Sequence, residues 1–180
     1  GSYNTYMFEY CKSIMAVSEN VFIPNLAHPY AFQGAAMPSI DSQISINGSA
    51  QNMFNSNVSV FAFDGNKINT HLATSFSNFM RMSNVYEVMN LDISSMTDTT
   101  NIFGSCCLIK LTFAGETTPG GWAISLTSCL MSHKALVNMI NSLPTALSPA
   151  TITITGNPGA SELTDEEIAV ATAKNWTVTI

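Results

Sequence analysis

The sequence is short of charge. Only 10% of its 180 residues are Asp, Glu, Lys or Arg, against roughly a quarter in typical soluble domains. Six Lys and Arg oppose twelve Asp and Glu, and no basic run occurs. The positive surface that binds nucleic-acid phosphates is therefore missing, and we expect no nucleic-acid partner.

Long apolar runs, metal-ligand spacings and catalytic motifs are missing as well. No stretch approaches the ~20 apolar residues that cross a bilayer, so we expect no membrane insertion. The four cysteines form no C-x-x-C pair, which favours small buried side chains over zinc ligands. No phosphate-binding loop, nucleophile elbow or H-E-x-x-H motif occurs. We predict no cofactor, no metal site and no catalytic residue.

Uncharged polar residues are abundant instead. Ser, Thr and Asn occur in nearly every segment, beside a hydrophobic fraction of 46%. A surface of hydroxyl and amide groups suggests an extracellular or cell-surface protein, with a virion protein as the alternative. We interpret residues 1–2 as an expression scar, and expect any export signal to precede this chain in a longer parent protein.

An apolar doublet recurs along the first two thirds of the chain. Its copies are Met7-Phe8, Ala31-Phe32, Met53-Phe54, Phe79-Met80 and Ile102-Phe103. The aromatic residues of successive copies are 24, 22, 25 and 24 residues apart. This regularity indicates repeats of the length found in leucine-rich-repeat proteins.

A strand-like pattern of apolar positions follows several of the doublets. It reads Val58-x-x-Phe61-x-Phe63, Val88-x-x-Leu91-x-Ile93 and Leu108-x-x-Leu111-x-Phe113, with a weaker copy at Ile44 and Ile46. Alternation of the last two apolar positions predicts a short strand with one face turned inward.

The C-terminal third has a different pattern. Alternating apolar and hydroxyl residues predict strands over 123–127, 151–155 and 176–180. Between them we predict helices over 132–142, capped by Ser132, and over 164–175, opened by a capping box from Thr164 to Glu167. We therefore predict a single domain over 3–180, with doublet-led repeats in 3–115 and helix-backed repeats with a cap in 122–180.

The segment 79–115 resembles the repeats of BspA-like leucine-rich-repeat surface proteins of bacteria. The doublet Ile102-Phe103, the small pair Cys106-Cys107 and the strand-and-return stretch from Leu91 to Met96 carry the resemblance. The C-terminal stretch is also similar to terminal units of phage-encoded and gut-bacterial repeat proteins. The resemblance implies an α/β fold: a right-handed leucine-rich-repeat-like solenoid with a parallel concave sheet, helix-poor N-terminal units and helix-backed C-terminal units.

On such a concave sheet, the residues between the strand apolars point outward as neighbouring rows. These candidate ligand-binding residues are Val60, Ala62, Asp64, Asn90, Asp92, Ser94, Lys110, Thr112, Ser125, Thr127 and Thr153, with Thr151 and Thr155 beside the last. The face that they form is polar and nearly uncharged, which suits a host protein or a carbohydrate.

Three functional hypotheses remain open at this point. The first is a non-catalytic extracellular binding or adhesion module, and the second is a receptor-binding protein of a phage or prophage tail. The third is a hydrolase or enzyme accessory domain, in which Cys129 and His133, four residues apart, would form a nucleophile and base. The third requires these two side chains to meet in one cleft with a carboxylate.

Overall fold

The structure is a computed structural model that describes residues 9–11, 22–26, 30–36, 43–58 and 61–180. The first doublet, Met7-Phe8, lies outside the described residues, as does the candidate residue Val60.

Short strands dominate the described residues. In chain order they are β1 (Phe22–Leu26), β2 (Gln43–Ser49), β3 (Phe61–Asp64), β4 (Ile68–Ser75), β5 (Val85–Asp92), β6 (Lys110–Ala114), β7 (Thr117–Gly120), β8 (Ala123–Ser125), β9 (Thr145–Ser148), β10 (Ala150–Thr153) and β11 (Trp176–Thr179). The two α-helices, α1 (His133–Ser142) and α2 (Asp165–Ala173), are accompanied by a 3-10 turn, Ala160–Glu162.

The strands pair in four small parallel sheets within the described part of the chain. Their orders are β1-β2-β4, β3-β5-β6, β7-β9 and β8-β10-β11. No sheet closes or curls in the described ranges. The expected right-handed solenoid with one parallel concave sheet and helix-backed units is therefore wrong.

The division into separate sheets has a local cause. The segment between Met53-Phe54 and Phe79-Met80 forms two strands, β3 and β4, and these belong to different sheets. The sequence pattern predicts β3 but no strand between it and the next doublet. They form β4 because Ile68, Thr70 and Ala73 are buried and the strand pairs with β2.

The doublets form compact turns that bond to one another. Each turn holds its buried doublet between two residues in the left-handed region, such as Asn52 (φ 54°) and Ser56 (φ 57°) around Met53-Phe54. The backbone N–H of Phe54 donates to the carbonyl of Phe79 at 2.8 Å, and that of Met80 donates to Ile102 at 2.9 Å. The described doublets supply core side chains, and backbone hydrogen bonds such as these join successive turns.

The core is one continuous cluster of buried apolar side chains. Aromatic residues of successive turns meet within it: the rings of Phe54 and Phe79 lie 5.3 Å apart, edge to face, and those of Phe32 and Phe54 lie 5.3 Å apart, stacked. The predicted inward residues Ile44, Leu91, Ile93, Leu111 and Phe113 are buried, which confirms their assignment.

The two predicted helices are confirmed with shorter bounds. Ser132 caps α1 by accepting the N–H of Ala135, and Thr164 and Glu167 form the capping box of α2. Leu136, Met139 and Ile140 of α1 are buried. On α2 only Ala171 is buried.

Three C-terminal strands lie where the alternation predicts them, as β8, β10 and β11. Two others, β7 and β9, were not predicted. β7 contains Pro119 and Gly120, which indicate a turn, yet it pairs with β9 through Thr117 and Thr145. The hydroxyl of Thr118 donates to the carbonyl of Ile93 at 2.8 Å and so fixes β7 against the preceding chain.

Candidate functional site

The predicted ligand-binding residues divide between two sheets. Ala62 and Asp64 lie on β3, Asn90 and Asp92 on β5 with Ser94 just beyond it, and Lys110 and Thr112 on β6. Ser125 lies on β8, Thr127 follows it, and Thr153 lies on β10. The sequence predicted them as neighbouring rows on one concave face, whereas the structure brings them together as two groups.

The first group centres on a bulge in β5. The register of β5 against β6 shifts between Val88 and Leu91, and Asn90 there has a φ of 55°. Asn is among the few residues that adopt this left-handed conformation readily. The N–H of Asn90 donates to the hydroxyl of Thr112 at 3.1 Å, and its side-chain amide donates to Asp64 at 3.4 Å. These side chains therefore hold the bulge in place.

The carboxylate of Asp92 extends this network towards β4. Its Oδ1 accepts the N–H of Ser94 at 2.9 Å, and its Oδ2 lies 3.1 Å from Nδ1 of His71. Burial raises the pKa of Asp92, but hydrogen bonds from Ser94 and His71 outweigh burial and hold the pKa below its usual value of 3.8. The backbone N–H of Asp92 donates to the Thr70 hydroxyl at 3.0 Å. The sequence reasoning missed His71 and Thr70.

The remaining members of this group have partners or little chemistry. Nζ of Lys110 lies 3.9 Å from Glu87 and 3.4 Å from the sulfur of Met89. Ala62 has no polar side-chain atom. Because the Asp64, Asn90, Asp92 and Thr112 side chains bond to one another or to nearby backbone, their main effect is to shape β5.

The second group forms a surface that we call the hydroxyl face. Thr153 pairs with Ser125 on one side and Thr179 on the other, and Thr151 pairs with Ala123 and Thr177. In parallel strands, paired residues are about 4.8 Å apart, and alternate residues of one strand are about 6.6 Å apart. The members of the face are Ser125, Thr127, Thr151, Thr153, Thr177 and Thr179.

The hydroxyl groups of this face are available to a ligand. In the described residues, no other protein group hydrogen bonds to the side chains of Thr151, Thr153, Thr177 or Thr179. Among the same residues, the side chains of Ser125 and Thr127 hydrogen bond only to each other and to the N–H of Thr127, with 3.0 Å between their side-chain oxygens. This is the opposite of the first group, whose polar side chains are already occupied.

No charged residue lies on the three strands that carry the hydroxyl face. The alternate residues Ile124 and Ile152 are fully buried beneath it. The aliphatic side chains therefore fix the strands from below, and the face presents hydroxyl groups at set positions.

The two tryptophans lie away from this surface chemistry. Trp176 is 2% exposed and its Nε1 donates to the carbonyl of Pro144 at 2.8 Å. Trp122 packs against it edge to face, with ring centroids 5.5 Å apart, and donates to the carbonyl of Met96. Both tryptophans therefore act as packing residues, and neither is a platform on the hydroxyl face.

The cysteine and histidine of the enzyme hypothesis have separate partners. The Cys129 thiol is buried and donates to the carbonyl of Cys106 at 3.5 Å, and burial raises its pKa to about 11. Nε2 of His133 bonds to Glu167 at 2.9 Å. Both residues belong to the described chain, and no hydrogen bond joins them there, so the geometry gives no support to a nucleophile–base pair.

Within residues 9–11, 22–26, 30–36, 43–58 and 61–180, no cluster of three or more His, Cys, Asp or Glu is placed to hold a metal ion. Over the same ranges, none of the helices has the length and apolar character needed to cross a membrane.

Comparison with protein-family models, with curated proteins and with solved structures gives no significant match. The resemblance to BspA-like proteins therefore stays a prediction.

Proposed function

We propose that the chain is a non-catalytic binding or adhesion module that acts outside the cell, and that the hydroxyl face is its binding surface. The proposal rests on the regular array of hydroxyl groups of Thr151, Thr153, Thr177 and Thr179. Within the described residues these hydroxyls have no protein hydrogen-bond partner, and the strands that carry them contain no charged residue. The resemblance of segment 79–115 to bacterial surface proteins supports the extracellular location.

The chemistry of the face favours an uncharged ligand rich in hydrogen-bonding groups. A hydroxyl both donates and accepts, so each threonine can bond to a hydroxyl or amide of the partner. The three strands of the face carry no charged side chain that would attract or exclude ions. A neutral glycan fits these properties, and we take it as the partner, with a host protein surface as the alternative.

The test is binding of the chain to an array of neutral and charged glycans, followed by isosteric substitutions. The double variant Thr153→Val, Thr179→Val removes two cross-strand hydroxyls and keeps the shape and the strand preference of both residues. Each uncharged hydrogen bond contributes about 1 kcal/mol, so the dissociation constant should rise at least about tenfold.

The matched control is Thr117→Val with Thr145→Val, because these threonines are paired in the same way on the β7-β9 sheet. The control should bind as the parent chain does. Binding should also change little with salt, since the face carries no charge. Equal binding by the two double variants would show that the hydroxyl face is not the binding site. Binding to proteins but to no glycan would show that the partner is a protein.

A further inference from the structure

Within the described residues, no strand pairs with the outer edge of β11. The N–H of Ala150 donates to the carbonyl of Asn175 at 3.1 Å, and that of Ile154 donates to Thr179 at 2.8 Å. In a parallel pair, alternate residues of a strand bond to the neighbour and the others point away. The backbone N–H and C=O of Trp176 and Val178 therefore point away from β10.

Three other sheet edges in the described chain, those of β6, β9 and β8, carry covering contacts. At β6, the N–H of Phe113 donates to the side chain of Ser142 in α1 at 3.0 Å. At β9, the N–H of Ala146 donates to the carbonyl of Lys174 at 2.9 Å. At β8, the carbonyl of Ala123 accepts the hydroxyl of Thr99 at 2.6 Å. Within the described residues nothing covers β11 in this way.

The β11 edge also lacks the features that usually prevent edge pairing. Such features are charged residues, proline and bulges. β11 contains no charged residue and no proline, and it pairs with β10 in unbroken register through four residues, from Trp176 to Thr179. By contrast, the pairing of β5 with both of its neighbours is irregular. Ile180, just after β11, is 51% exposed.

We propose that two copies of this chain associate through antiparallel pairing of their β11 strands. With Val178 opposite Val178 of the second copy, Trp176 lies opposite Ile180, and the outward N–H and C=O groups of these residues meet in hydrogen-bonded pairs. Thr177 then lies opposite Thr179 of the second copy. The strand is self-complementary, as a two-fold symmetric interface requires.

The side chains on the two faces of β11 support a second copy of the chain as the partner. On one side of the strand, threonine meets threonine, a favourable cross-strand pair. On the other side, Val178 meets valine, and the exposed Ile180 lies beside Trp176. No like charges approach within the strand, although the chain carries a net charge of −6. The charge-free strand is thus a place where two acidic chains can meet.

Pairing by a two-fold axis normal to the sheet keeps both hydroxyl faces on the same side. The combined sheet has the order β8-β10-β11-β11-β10-β8, and its hydroxyl surface is twice as wide. The association itself does not depend on the proposed binding role, because its measurement needs no ligand.

The experiment is analytical ultracentrifugation of the full chain over a wide concentration series. The parent chain should change from the mass of one copy to that of two as concentration rises. Val178→Pro removes an outward N–H without removing a bond to β10, and proline is tolerated on edge strands. This variant should keep the mass of one copy throughout, with an unchanged circular dichroism spectrum.

A second variant, Thr177→Lys with Thr179→Lys, tests the edge without a change of backbone, since charge on both threonines opposes pairing. Leu147→Lys is the control for general apolar association, because Leu147 on β9 is 71% exposed, and it should associate as the parent chain does. A parent chain that stays at the mass of one copy overturns the proposal. So does association beyond two copies, or pairing that persists in both edge variants.

Discussion

Nε2 of His133 and Oε2 of Glu167 lie 2.9 Å apart and join the first turns of α1 and α2. The same carboxylate oxygen accepts the backbone N–H of Thr164 at 2.9 Å, as part of the capping box. The hydrogen bond from His133, followed by that from Thr164, holds the pKa of Glu167 below its usual value of 4.5. One side chain therefore caps its own helix and fixes the neighbouring one.

The lowered pKa of Glu167 predicts a dependence of stability on pH. The unfolded chain binds a proton more readily than the folded chain, so the contribution is complete above about 4.5 and is lost as pH falls through the folded pKa. Glu167→Gln keeps a capping side chain but should lower the melting temperature at neutral pH and weaken this acid dependence. Thermal melts from pH 3 to 7 measure it. Glu166→Gln, in the same turn, is the control; equal pH profiles for both variants would contradict the prediction.

The position of the Asn90 backbone in the bulge predicts that a side chain added at Gly65 destabilises the fold. A Cβ added at Gly65 would collide with the backbone carbonyl of Asn90, although Gly65 itself has no left-handed φ. Gly65→Ala should therefore lower the free energy of unfolding by about 1–3 kcal/mol, the usual cost of overpacking. Gly104→Ala, where the nearest atom is a side-chain carbon at 3.3 Å, should cost much less. Urea denaturation of both variants distinguishes them.

The buried side chain of Asn157 predicts a large effect of removing one amide. Its Nδ2 donates to the carbonyls of Leu126 and Ile154 at 2.8 Å each, and its Oδ1 accepts the N–H of Met131 at 3.1 Å. Asn157→Ala leaves the N–H of Met131 unpaired, whereas the carbonyls of Leu126 and Ile154 each keep one backbone N–H, from Cys129 and from residue 157 itself. Since an unpaired buried group costs about 1–3 kcal/mol, the free energy of unfolding should fall by at least about that amount. Asn138→Ala, exposed on α1, is the control, and chemical denaturation measures both.

Two adjacent thiols predict selective alkylation. Cys107 is exposed while Cys106 is buried, and burial raises the pKa of both Cys106 and Cys129. Because the thiolate is the reactive form, iodoacetamide at mildly alkaline pH should modify Cys107 in the folded chain and spare Cys106 and Cys129. Peptide mass spectrometry before and after unfolding measures this selectivity. Equal modification of all three in the folded chain would show that their surroundings differ from those described.

Much of the local structure could be predicted from the sequence, because burial leaves a clear pattern. The doublets and the alternating strands follow from which side chains must leave water, and both helix caps follow from hydroxyl side chains that accept the free N–H groups of a first turn. The sequence also marks three of the turns with asparagine. Asn52, Asn78 and Asn101 each precede a doublet and adopt positive φ. Asn tolerates this conformation better than most residues.

The arrangement of the strands could not be predicted in the same way. Alternation at Phe61 and Phe63 shows that a strand has a buried side, but not which other strand accepts its hydrogen bonds. β3 and β4 follow one another closely in the chain and enter different sheets, so separate small sheets replace the one expected concave sheet. The repeat length and the family resemblance therefore led to the wrong fold.

The sequence predicted residues of the candidate site but not how they are arranged. The sequence identifies polar outward residues such as Asp92 and Thr153 equally well. It does not show that the Asp92 carboxylate is hydrogen bonded to His71 and Ser94. Nor does it show that the Thr153 hydroxyl has no protein hydrogen-bond partner among the described residues. Thr177 and Thr179 repeat the alternation of Thr151 and Thr153, and this similarity was the available sign that they extend the same surface.

The bonds between successive turns also bear on how the chain folds. Side-chain hydrogen bonds to the carbonyls of Asp92, Val58 and Met80 join residues that are 22 to 26 positions apart in the sequence. The backbone hydrogen bonds between neighbouring doublets have a similar span. Closing a loop of this size costs modest entropy, and a low separation between contacting residues is associated with fast folding. Each turn can dock as soon as the next one has left the ribosome, so the described core can assemble progressively during synthesis.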